Sequence, residues 1–358
     1  MTAEEKVLLH LIRLATGREN DTRLAADVDW QRVYALSIEQ NVCSVACDGL
    51  LRLDDCGIDE DLRYKWIGQS MVLENRYIAH ARAIAHLATA YGKAGLKMML
   101  LKGMGLSLNY PVPQHRAPGD IDIYLFGEWK KGDRLVHDVF GIEVDSGHEH
   151  HTTFRFEKQS VENHYDIINT KGTRSARWIE QELKRLAVSA ECPVTIGGAR
   201  VFLPPPDFNA IFLMRHMGQH FAGSEIKVRH VLDWGLFVER YKDSIDWGQV
   251  VALWERMGIG PFAGCVRSIC QRWFGIECKG LEAMGEADGE LVERVMNDIL
   301  HPEFAEQKPE GLLPVVMFKT RRFFANGWKK GLVYKESVAE HFVTGSLSHL
   351  RRFGTITD

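Results

Sequence analysis

KMMLLKG at residues 97–103 and GDIDIYLF at residues 119–126 decide how this chain is read. The first is an apolar run closed by Lys102 and Gly103, the pattern of a buried strand entering a turn. MGLSLNYPVP follows as a short helix halted by Pro111 and Pro113. In the second stretch acidic and apolar residues alternate with period two. Asp120, Asp122 and Tyr124 leave one face, and Ile121, Ile123 and Leu125 the other, which predicts a strand.

Outward from this centre the texture is helical. Upstream, apolar residues recur at helical spacing over 3–15, about 29–53 and about 59–94, the last ending at Gly95. Downstream, a polar helix is expected over 128–140 and a strand at GIEVD (141–145). HTTFRFEK and SVENHYDIIN read as an antiparallel hairpin across a short polar turn. A helix over about 174–187 and a small hairpin around Gly197–Gly198 complete the centre. Beyond Pro204–Pro206, DFNAIFLMRHMGQHF, IKVRHVLDWGLFVERY and similar segments are amphipathic to the end. The expected fold class is α+β, with three regions: an N-terminal helical arm (1–95), a mixed α/β centre (96–204) and a helical C-terminal part (205–358). No internal repeat or low-complexity tract interrupts it.

At 358 residues, 45% of them hydrophobic, the chain can bury a full core without disulfides. The formal net charge of -4 excludes a global polyanion binder, so nucleic acid would need a local basic patch. Seven cysteines without a CxxC pair suit core positions in a reducing cytoplasm. The N-terminus reads as an amphipathic helix and not as a signal peptide, and no apolar run approaches the roughly 20 residues that span a bilayer.

The chemistry concentrates at the acidic strand. Two carboxylates side by side repel unless a cation lies between them. Mg²⁺ or Mn²⁺ suits such a pair, taking carboxylate and phosphate oxygens together. The bland alternative for Asp120 and Asp122 is a solvated strand face. Gly103 would let backbone approach a phosphate, and Lys102 and Arg116 bring positive charge. Alternatively Lys102 is a strand-end lysine in solvent, and Arg116 pairs with Asp120.

The order LKG, short helix, Arg116, then DID on a strand resembles the nucleotidyltransferase superfamily with the DNA polymerase beta-like palm. More narrowly, it is similar to the bacterial uncharacterised nucleotidyltransferase family. That resemblance covers about residues 98–126 at motif level and extends loosely to about 235. It implies a nucleotidyltransferase-type mixed sheet with flanking helices, and a C-terminal helical bundle that closes the cleft. It also implies a third carboxylate on a later strand, where VENHY (161–165) offers Glu162, with His164 as its neighbour on the same face. Asp166 competes for that role, and Met104 stands where the superfamily turn has serine.

Other signals are weaker. GHEHH (147–151) gathers His148, His150 and His151 near His164, either as a transition-metal site or as a polar loop lining a nucleotide pocket. His216 and His220 lie at i, i+4, but Met217 replaces the glutamate a zinc protease needs. Arg229 and Asp233 read as an intrahelical ion pair. The basic, aromatic segments FKTRRFFANGWKKGLVYK and SHLRRFG could bind nucleic acid or anionic lipid, or could cover the face they pack on. The resulting expectation is a Mg²⁺- or Mn²⁺-dependent enzyme. It moves a nucleoside monophosphate from an NTP to a hydroxyl acceptor, with nucleic acid and protein among the candidates. Asp120, Asp122 and Glu162 are the metal and catalytic residues, and Lys102, Gly103, Arg116 and His164 face the nucleotide. The rivals are a non-catalytic binding module of the same fold and a hydrolase built on the histidines.

Overall fold

The computed structural model describes residues 1–24, 28–54, 56–170, 175–304 and 311–336. The N-terminal helices are α1 (Ala3–Ala15), α2 (Trp30–Glu39), α3 (Cys43–Leu50) and the 34-residue α4 (Glu60–Lys93). The single helix expected over 29–53 is in fact two. Asn41 adopts φ 57°, a left-handed conformation that Asn tolerates and a helix cannot continue through. The break sets Gln40 against the C-terminal half. Its side-chain oxygen accepts from the Val228 N–H at 2.9 Å and its carbonyl from the Arg229 N–H at 3.3 Å.

Six strands form one sheet among the described residues: β1 (Met99–Leu100), β2 (Ile121–Tyr124), β3 (His151–Phe156), β4 (Gln159–His164), β5 (Cys192–Ile196) and β6 (Ala199–Leu203). Their order is β3-β4-β2-β1-β6-β5, with β2 parallel to β4, β1 parallel to β6 and the other pairs antiparallel. The two deciding strands are shorter than the sequence suggests, and Asp120 lies one residue before β2. GIEVD forms no strand. Glu143 and Asp145 lie in solvent, and only Asp145 pairs, exchanging 2.8 Å hydrogen bonds with Thr153. The second hairpin arm stops at His164 because the Ile167 and Ile168 N–H groups turn to the Glu180 carboxylate, each at 2.9 Å. The Gly197–Gly198 turn is as expected, both residues having positive φ.

The remaining helices are α5 (Met104–Ser107), α6 (Trp129–Phe140), α7 (Ala176–Ala187), α8 (Pro206–Gly223), α9 (Val228–Tyr241), α10 (Trp247–Met257), α11 (Gly260–Phe274), α12 (Gly289–Leu300), α13 (Leu312–Ala325) and α14 (Gly327–Val333). The molecule is α+β. Strand alternation divides its core in two. Leu100, Ile121, Ile123 and Val201 pack beneath Ile84, Leu87 and Tyr91 of α4. Met99, Tyr124 and Phe202 face the other way, into a core shared by α1, α8, α9 and α11. Asp122 leaves β2 on the same side as Tyr124. The acidic strand therefore looks toward the helical half.

The cysteines carry no disulfide, and five of the seven are buried. No described helix is long and apolar enough to cross a membrane. In the basic stretch 318–335, Lys329 and Lys330 are buried, and Lys329 Nζ lies 2.6 Å from Asp298. These two lysines serve packing and not an open basic surface. SHLRRFG lies outside the described residues.

Candidate active site

The β1 strand delivers Lys102 and Gly103 to the edge of β2. The Leu101 N–H donates to the Asp122 carbonyl at 3.1 Å, which aligns the two segments. Gly103 then turns the chain at φ 58°, ψ -113°, and a side chain there would meet the Asp120 carbonyl at 3.3 Å. On the far side of β2, parallel pairing puts Asp122 directly opposite Glu162 and Tyr124 opposite His164. A cleft of about 430 Å³ opens over this row and is closed by α8 and α9, through Phe212, His216, Arg229 and His230.

Asp122 is buried, and its Oδ1 receives two donors. Lys102 Nζ lies at 2.8 Å and His164 Nε2 at 3.2 Å. His164 Nε2 is also 3.3 Å from Glu162 Oε2. Lys102 in turn reaches His216 Nε2 on α8 at 3.0 Å. Burial pushes the Asp122 carboxyl up, but Lys102 and His164 outweigh it and hold the group well below the usual carboxylate range. His164 is opposed by burial and raised by its bonds to Asp122 and Glu162, with a net upward shift. Asp120, exposed at the cleft rim, is raised by partial desolvation and then by the charges of Glu162 and Asp122. The carboxylates thus sense one another, and Asp122, Glu162 and His164 offer donor atoms all within 4.8 Å. Two carboxylates and an imidazole so placed fit a divalent cation. Asp120 stands beside this set and is not one of its three members.

Histidines line much of the remaining wall. Burial drives His216 well below its ordinary pKa and takes His150 and His230 down to about 3, so all three are neutral donors or acceptors. His151 and His164 face each other across β3 and β4, and His150 joins them. His148 stacks on His151 with ring centroids 4.7 Å apart but lies outside the trio.

The cleft is lined by another buried aspartate as well. Asp233 on α9 accepts from Arg116 Nε at 2.8 Å, from Arg116 Nη2 at 2.9 Å and from the Tyr110 hydroxyl at 2.7 Å. This removes one alternative and corrects one expectation. Arg116 pairs with Asp233 and not, as in the alternative reading, with Asp120, because its planar fork meets both carboxylate oxygens at once. Arg229, expected to pair along its own helix, donates instead to the Ala117 carbonyl at 2.9 Å. Asp166, the rival third acid, is held by Lys184 at 2.7 Å, which leaves Glu162 opposite Asp122.

The sequence had not singled out Tyr110 or linked His216 to Lys102. Tyr110 precedes two prolines in a segment that reads as a helix stop, so no local pattern marks it. His216 was visible on an amphipathic helix, but its partner lies 114 residues away.

An acidic strand beside a glycine corner, over a cleft closed by helices, defines an α+β protein of the nucleotidyl-transfer class. The profile of the uncharacterised nucleotidyltransferase family matches residues 26–275, more than two thirds of the chain. The chain belongs to that family and is a nucleotidyl-transfer enzyme. Comparison with curated proteins and with solved structures gives no match.

Proposed function

We propose that this enzyme transfers a nucleoside monophosphate from an NTP to a hydroxyl-bearing acceptor, using Mg²⁺ or Mn²⁺ held by Asp122 and Glu162 with Asp120 at the rim. The observation that carries the reading is the parallel register of Asp122 with Glu162, beside Lys102 and Gly103, in a cleft of nucleotide size. The acceptor oxygen bonds to the α-phosphorus, the bond from that phosphorus to pyrophosphate breaks, and pyrophosphate leaves. Glu162, less buried than Asp122, takes the acceptor proton. A divalent ion would neutralise the phosphate oxygens and favour ionisation of the acceptor hydroxyl. Lys102 adds a positive charge at the same edge, and Gly103 leaves room for phosphate against the backbone. His164 orients both carboxylates through Nε2. Arg116 lines the cleft while braced by Asp233, and so holds the segment that leads into Asp120.

The Lys102 contact at 2.8 Å also favours a second reading, in which the lysine permanently satisfies Asp122 and the cleft binds nucleotide without turnover. Incubation with each α-labelled NTP, Mg²⁺ or Mn²⁺ and a cell extract separates the two. Transfer of label to an acceptor, abolished in Asp122→Asn, supports catalysis. Saturable nucleotide binding with no turnover under any condition supports the binding module.

A further inference from the structure

His150 and His151 have no part in the transfer chemistry above, yet both are turned toward the cleft. We propose that His150, His151 and His164 form a second cation site, built for a borderline-soft transition ion such as Zn²⁺ and sharing His164 with the carboxylate set. The geometry comes from the hairpin. Antiparallel register sets His151 of β3 opposite His164 of β4. The His150 carbonyl accepts from the N–H groups of Tyr165 and Asp166, each at 3.1 Å, and this pins His150 against the end of β4. The three rings therefore pack with centroids 4.5 to 5.5 Å apart. One nitrogen from each lies within 4.8 Å of the others.

A second observation points to a ligand. The Nδ1 atoms of His150 and His151 are buried and have no hydrogen-bond partner, and His151 is only 8% exposed. Buried polar atoms without partners cost about 1–3 kcal/mol each. A cation that accepts their lone pairs removes the cost. Imidazole donors select Zn²⁺, Co²⁺ and their neighbours over Mg²⁺, whereas the Asp122–Glu162 pair supplies the oxygen ligands that Mg²⁺ prefers. Three histidines leave one position of a tetrahedral ion for solvent or for a ligand in the cleft. Two of its three donors lie outside the carboxylate set, and the inference does not require the transfer reading.

The test uses Co²⁺, whose four-coordinate complexes absorb strongly in the visible. The full chain is titrated with Co²⁺ in excess Mg²⁺, and Zn²⁺ is then added to displace it. One equivalent of Co²⁺ should give the four-coordinate spectrum, and Zn²⁺ should remove it. His150→Ala and His151→Ala should each weaken binding by at least about tenfold, while His148→Ala leaves it unchanged. Circular dichroism checks each fold, and His150→Asn provides a milder variant if His151→Ala fails to fold. Asp122→Asn should keep the spectrum. No spectrum in the parent chain, or equal binding after both His150 and His151 are replaced, overturns the proposal. So does loss of the signal in Asp122→Asn, which would assign the ion to the carboxylates.

Discussion

Asp122 and Asp233 are buried aspartates that line one cleft, yet their surroundings treat them in different ways. Asp233 has donors on both oxygens: two N–H groups of the Arg116 fork and the Tyr110 hydroxyl. Its carboxyl is opposed by burial but held below its ordinary range chiefly by Arg116. Asp122 concentrates its donors on one oxygen, shared by Lys102 and His164, and its neighbours are themselves shared with Glu162 and His216. A closed network of this kind fixes the cleft wall. A network with competing partners can be reconfigured when a substrate or cation arrives, at small cost, because no donor belongs to a single acceptor. The Asp233 network is therefore read as stability and the Asp122 network as chemistry.

The sharpest way to break this contrast is to neutralise each aspartate. Asp122→Asn should lower label transfer by about 10³-fold, the scale on which charge-stabilising groups act in such sites. Its unfolding free energy should move less than that of Asp233→Ala, since the amide oxygen can still accept from Lys102 and His164. Asp233→Ala should do the reverse. It strands the buried Arg116 guanidinium and should cost about 3 kcal/mol in urea denaturation, with turnover per folded molecule largely kept. A large activity loss in Asp233→Ala at unchanged stability would erase the distinction. Gly103→Ala sharpens it at the glycine corner. Its φ and ψ suit glycine almost alone, so the substitution should cost about 2 kcal/mol and raise the KM for NTP. An unchanged KM would remove Gly103 from the nucleotide's path.

The two networks also differ in how far the sequence announces them. The period-two run around Asp122 and the LKG corner are local, because a strand writes its faces into consecutive residues. The pairing of Glu162 with Asp122 was legible only through resemblance, and its register depends on how β4 lies beside β2. The Arg116–Tyr110–Asp233 cluster was hidden. Its members are 117 and 123 residues from the aspartate they share, and the i, i+4 rule pointed to Arg229 instead. Local rules also overran the helix at Asn41, where a left-handed residue gives no periodicity signal, and produced a strand at GIEVD that solvent-facing acids limit to one bridge. The histidines were visible as a string in HEHH, but which three meet follows from hairpin register.

Tyr110→Phe is the mildest probe and the most specific to the Asp233 network. Burial and the Asp233 charge raise the Tyr110 hydroxyl well above its ordinary pKa, so it remains a donor across the working pH range. Phe keeps the ring and its packing and removes one charge-assisted hydrogen bond, which should cost about 1.5 kcal/mol. Asp233 retains both Arg116 contacts, so the loss stays below that of Asp233→Ala. The informative quantity is the coupling. In an Asp233→Asn background the same Tyr110→Phe change should cost less than half as much, because the hydroxyl then donates to a neutral amide oxygen. Chemical denaturation of the four proteins in this cycle gives the coupling directly. If the two changes add without coupling, Tyr110 is packing alone, and Asp233 is held by Arg116 without it.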